Sequence, residues 1–143
     1  MNQNIFKNIL PVVAGTVTGG ISVAVGQRIT QQLFPMPEGL DFHNKEALRV
    51  ALAAYPVQAY VAILVVYALA SAIGGLVATL LSGRRVARPS IVVGIVLTVM
   101  GIVNDLKMPQ PVWFSLANLL VYLPLAFCGY LLVRKNAAHK TAA

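Results

Sequence analysis

Four long apolar stretches divide this chain, and its charges are sorted by the side of those stretches on which they fall. Every acidic residue (Glu38, Asp41, Glu46 and Asp105) lies in the segments of one side, together with Arg28, Lys45, Arg49 and Lys107. Four acids balance four bases there, so that side is neutral. The other side carries Lys7, Arg84, Arg85, Arg88, Arg134, Lys135 and Lys140 and no acid, so it holds the whole net charge of +7. An excess of Lys and Arg on alternate connections is the pattern that orients multi-span membrane proteins, with the basic side cytoplasmic. An even number of spans then puts both termini in the cytoplasm.

Only 10% of the 143 residues are charged, against about 25% in a soluble domain. The mean hydropathy of +0.77 points the same way: lipid is the solvent for most of the surface. A span needs about 20 apolar residues, so four spans and their connections use nearly all of the chain as one transmembrane domain. The pI near 10 raises nucleic acid as a partner. The distribution argues against it, because the bases flank apolar spans and form no patch interleaved with aromatics. Arg84, Arg85, Arg88, Arg134 and Lys135 are instead read as contacts to anionic lipid headgroups. Cys128 is the one cysteine, which excludes an intrachain disulfide, and its mid-span position reads as a small buried hydrophobe.

The spans are expected at about residues 9–34, 56–81, 90–103 and 112–133. Ala24-Val25-Gly26 resembles a signal-peptidase site, but the first segment is read as a retained span. Pro35-Met36-Pro37-Glu38-Gly39 ends it, since this density of Pro and Gly breaks helices. Beyond, Asp41 or Asn44 can cap a helix, and Leu48, Leu52 and Tyr55 recur at helical spacing opposite Lys45, Glu46 and Arg49. That reads as a short amphipathic helix lying on the outer surface, or as an extension of span two bent at Pro56. Span three is short for about 30 Å of hydrocarbon, which places Asn104 and Asp105 at the outer interface and has Arg88 reaching back to the inner one. Trp113 and Phe114 open span four, where an aromatic belt belongs. The residues after Val133 read as a mobile basic tail.

A weak repeat links spans two and four at an offset of 55. Pro56-Val57 falls on Pro111-Val112, and Ala62, Leu64, Val66, Tyr67, Gly74 and Leu76 fall on identical residues in span four. Met36-Pro37 recurs as Met108-Pro109. This suggests two parallel helix hairpins related by an axis along the membrane normal.

Two sets of residues are candidates for function. Gly15 and Gly19 form a G-x-x-x-G face with Gly20 beside it, while Ser71 with Gly75, and Gly74 with Ala78, repeat small-x-x-x-small spacing. Such faces let backbones approach where no hydrophobic force separates helix from lipid, either within one chain or against a partner. The second set is an outer polar cluster: Gln27, Arg28 and Gln31 at the end of span one, Asn104 and Asp105 at the end of span three. An Arg28–Asp105 pair would lower the energy of both charges near lipid. Asn118 reads as helix–helix glue. No ionisable residue sits at mid-span, as ion-coupled carriers normally require. Catalysis lacks its ingredients: His43 and His139 lie on opposite sides and cannot share a metal, no acid pair occupies a span, and no phosphate loop exists. No metal or cofactor is implied.

The stretch Gln31-Gln32-Leu33-Phe34-Pro35-Met36-Pro37-Glu38-Gly39-Leu40-Asp41, the Ala72-Ile73-Gly74-Gly75-Leu76 step and the Met108-Pro109-Gln110-Pro111-Val112-Trp113 turn together resemble a group of small four-span bacterial membrane proteins. The resemblance covers most of the chain. It implies a fold and a bacterial inner membrane, and no activity. It also implies Glu and His at the positions of Gln27 and Gln31, a titratable pair this chain lacks. The expectation is therefore an all-α integral membrane four-helix bundle, with both termini cytoplasmic and a short amphipathic helix in the first outer loop. The expected role is that of a non-catalytic accessory or scaffolding subunit, packing through its glycine faces against itself or a larger membrane complex. The alternative is a small homo-oligomeric transporter or channel built on the outer polar cluster.

Overall fold

The computed structural model describes the backbone of residues 2–83 and 86–141, with side chains over 8–83 and 86–135. Arg84 and Arg85 lie outside the described residues. Five helices follow in order: α1 (Asn2–Leu33), α2 (Lys45–Ala53), α3 (Val57–Leu81), α4 (Arg88–Lys107) and α5 (Val112–Thr141). Four of them (α1, α3, α4 and α5) are long and apolar enough to cross a membrane. On α1 the residues Pro11, Gly15 and Gly19 are buried, while Val13, Val17, Ile21 and Val25 stand exposed at a spacing of four. Inside and outside are thus sorted by size and not by polarity. An apolar exterior of this extent is a liability in water and the normal surface in lipid.

The third span is longer than the sequence suggests. α4 has 20 residues, about 30 Å at 1.5 Å per residue, and Asn104 and Asp105 are inside it. Two local causes extend it. Pro89 sits in the first turn, where a helix needs no N–H donor, and the Asp105 carboxylate finds a hydrogen-bond partner on α5. The tail after Val133 is also helical, as α5 continues to Thr141. Ala137 and Ala138 are strong helix formers.

α2 is a separate helix and not a bent extension of α3. Asn44 caps it, its Oδ1 accepting from the backbone N–H of Glu46 and Ala47 at 3.1 and 3.2 Å. Pro56 then takes an extended conformation ahead of α3. Leu48 and Leu52 are buried. The Tyr60 hydroxyl donates to Leu52 O at 2.8 Å, and the Tyr55 hydroxyl donates to Phe34 O at 2.6 Å. Those two tyrosines tie α2 and the end of α1 to the start of α3. Burial pushes the Tyr55 phenol above its ordinary value of 10, so it remains a donor.

The four long helices alternate in direction. α3 packs on α1, α4 and α5, and α4 also touches α1 and α5, whereas among the described residues α1 and α5 do not meet. The helices thus form a ring in the order α1, α3, α5, α4, closed by the thinner α1–α4 contact. One end of the bundle carries Glu38, Asp41, Glu46 and Asp105 (the acidic end); the other carries Arg88, Arg134 and Lys135 (the basic end), all three exposed. Several hydroxyls within the spans donate back along their own helices, as Thr18 to Ala14 O, Thr79 to Gly75 O and Thr98 to Gly94 O, each at 2.8 Å. This is how such groups are satisfied without water, whereas the buried Ser71 hydroxyl has no partner among the described residues.

Candidate functional site

The small residues close the bundle from within. A methyl placed on Gly15 would run into Gly74 O and Ala78, one on Gly74 into Gly15 O, and one on Gly19 into Ala70 O and Leu97. α1 and α3 therefore meet backbone to backbone along Gly15, Gly19, Gly74 and Ala78. Gly75 faces the other way, against the backbone of Ala126, and Gly129 seats on Ala72 and Leu76, which joins α3 to α5. Ser71 is fully buried between these seams. Six of the seven small residues singled out in the sequence are thus occupied inside the chain. Gly20 is the exception, since a methyl there meets no atom within 4 Å.

The polar cluster is partly assembled, with different partners. Arg28 and Asp105 do not pair. Arg28 is exposed, and Asp105 accepts from Asn118 Nδ2 at 3.1 and 3.2 Å, one contact to each carboxylate oxygen. The reason is geometric: Asp105 is turned toward α5, and Asn118 is a donor already inside the bundle. Gln27 donates through Nε2 to the Tyr67 hydroxyl at 2.8 Å. The Tyr67 ring stacks on Tyr122, their centroids 5.5 Å apart. A polar tract thus runs from Gln27 on α1, over Tyr67 on α3, to Tyr122 and Asn118 on α5 and Asp105 on α4. Asn118 is fully buried and its Oδ1 has no hydrogen-bond partner.

Gln27, Tyr67 and Asn104 are shared by the walls of two cavities. One, of about 160 Å³, lies toward the acidic end among Gln31, Met36, Tyr55, Tyr60, Gln110 and Phe114. Gln110 Oε1 is buried there without a partner. The other, of about 320 Å³, is a crevice between α1 and α4 over Gly20, Val23, Leu97, Met100, Gly101 and Val103, with Lys107 at its rim. An unpaired buried acceptor costs roughly 1–3 kcal/mol, so Gln110 marks a place in the smaller cavity where a donor is missing, while Asn118 lines neither cavity.

Sequence reasoning found Gln27, Gln31 and Asn104 as neighbours and missed Tyr60, Tyr67, Tyr122 and Gln110. The signal for two of these was present: Tyr67 and Tyr122 are the pair that the offset of 55 superposes. α3 and α5 also open alike, with Ala59 N–H donating to Pro56 O and Phe114 N–H to Pro111 O, each at 3.0 Å. Gln58 is exposed. Cys128 is exposed as well, which corrects the buried reading, because Gly129 and Ala126 take the inward positions of that turn. Among the described residues no three His, Cys, Asp or Glu side chains gather as metal ligands. What the site offers is hydrogen bonding, aromatic faces and one carboxylate.

The fold and its apolar exterior define a multi-pass helical membrane protein. No family model, curated protein or solved structure matches the chain.

Proposed function

We propose that this chain is a non-catalytic protein of a bacterial inner membrane that binds a small ligand within the half of the bundle nearer the acidic end, as a carrier or its binding subunit. The acidic end faces the periplasm and both termini the cytoplasm, in keeping with the charge asymmetry. The observation that carries the reading is the Gln27–Tyr67 hydrogen bond, set in the common wall of two cavities. A polar contact reaching that far into the spans, in a cavity wall that also holds the unpartnered Gln110 acceptor, is what ligand recognition in lipid requires.

The test is uptake by proteoliposomes of acetate, methylammonium and glycerol, alongside transfer of a fluorescent long-chain fatty acid between leaflets. Saturable movement of one probe, lost in Gln27→Leu and Tyr67→Leu proteins that still fold, is the expected result. Movement of none would end the reading.

The accessory-subunit reading stands second, favoured by the small share of chain outside the spans. Its interface would then be the apolar exterior, because the glycine seams are closed within the chain. Native mass spectrometry after gentle extraction separates the two. Fixed stoichiometry with other polypeptides favours the subunit, and a lone chain or symmetric oligomer favours the carrier.

A further inference from the structure

Gly20 is the place where the packing logic of α1 breaks. Gly15, Gly19 and Gly26 each meet atoms of α3, so their lack of a side chain is explained by contact. Gly20 meets nothing within 4 Å although it stands mid-helix, where glycine is the poorest helix former after proline. Gly20 lines the crevice between α1 and α4, and the space a side chain would take there is open.

The crevice is graded along the membrane normal. Its deep part is Gly20, Val23, Leu97 and Met100, all apolar; nearer the acidic end come Gln27, Asn104 and the tyrosines, and Lys107 stands at the rim. From Leu97 to Lys107 is ten residues of helix, about 15 Å, or about half of the hydrocarbon thickness. Lys107 is exposed and in no ion pair among the described residues. Asp105 is turned to Asn118 on α5 and does not line the crevice.

We propose that this crevice takes a long-chain anionic amphiphile of the fatty-acid class, its chain over Gly20 and its head among Gln27, Asn104 and Lys107. The inference rests on the ligand-binding reading above and names the substrate class. A lipid in the same leaflet has the same order of parts, with its chain at the midplane and its head at the interface. A small hydrophilic solute would have no use for the apolar depth at Gly20 and Leu97. The ammonium of Lys107 complements a carboxylate, and the amides of Gln27 and Asn104 donate to it. Tyr67 and Tyr122 form the floor, and Gly101 is small because the Tyr122 ring lies against it.

The experiment titrates the full chain, in nanodiscs of zwitterionic phosphatidylcholine, with a dansyl-labelled undecanoate. Empty nanodiscs give the background partition. Expected is saturable binding, weakened at least about tenfold by Gly20→Trp and, from the opposite wall, by Met100→Trp, with melting temperatures that show both variants folded. Lys107→Gln is expected to weaken the carboxylate and leave the matching alcohol unchanged. No saturable binding, or binding indifferent to both plugging variants, overturns the proposal. If acetate or methylammonium uptake still depends on Tyr67 in that case, the ligand-binding reading survives and only the amphiphile falls. If no probe binds or moves, both fall together.

Discussion

At the scale of residues, the decisive contact is Asn118 with Asp105. The side chain of Asn118 has no access to solvent, so it relies on partners inside the bundle, and its bond to Asp105 joins α4 to α5. Asp105→Asn preserves an acceptor and is expected to change stability by less than about 1 kcal/mol. Asp105→Leu strips the buried amide and is expected to cost about 1–3 kcal/mol. The double variant Asp105→Leu with Asn118→Leu should recover much of that loss, a coupling that thermal melts in detergent can measure. Additive losses would mean that the two residues do not act as a pair. The sequence gives both residues but not the pairing. Asp105 stands two residues before the end of α4 and Asn118 six residues into α5, and only the way α4 and α5 pack turns the two side chains toward each other.

At the scale of elements, glycines with the same spacing have different duties. Gly75→Ala would drive a methyl into the Ala126 backbone. It is expected to separate α3 from α5 and lower the melting temperature, since neither backbone can give way as a flexible side chain would. Gly20→Ala should do the reverse, raising stability by up to about 1 kcal/mol through helix propensity alone. The same melts read both variants, and a loss at Gly20 would mean that α1 is packed against a neighbour at that position. The α2 cap is a third case. Asn44→Ala removes the acceptor for two backbone N–H groups and is expected to cost about 0.5–2 kcal/mol. The loss should be local, appearing as faster amide exchange over residues 45–48. Helical spacing made α2 and the small faces readable in the sequence. It could not tell a seam from an opening, because that depends on what stands opposite.

At the scale of the whole molecule, the charge asymmetry predicts orientation. In a Cys128→Ser background, a single cysteine at Glu38 is expected to react with an impermeant maleimide added outside intact cells, and one at Arg134 only after lysis. The opposite pattern would invert the topology and move the proposed site to the cytoplasmic face. The number of long apolar helices, the break at Pro35 to Gly39 and the sorting of charge follow from sequence alone. Each is set by local chemistry: apolar length against bilayer thickness, proline and glycine against helix continuity, and the energy of a charge in hydrocarbon. The tertiary structure decided which helix meets which, that α1 and α5 stay apart among the described residues, that Asp105 turns to Asn118 and not to Arg28, and that Gly20 lines a crevice. In an apolar span nearly every face is hydrophobic, so periodicity carries little information about neighbours. Partner choice rests on shape and on a few hydrogen bonds, and both exist only once the helices are packed.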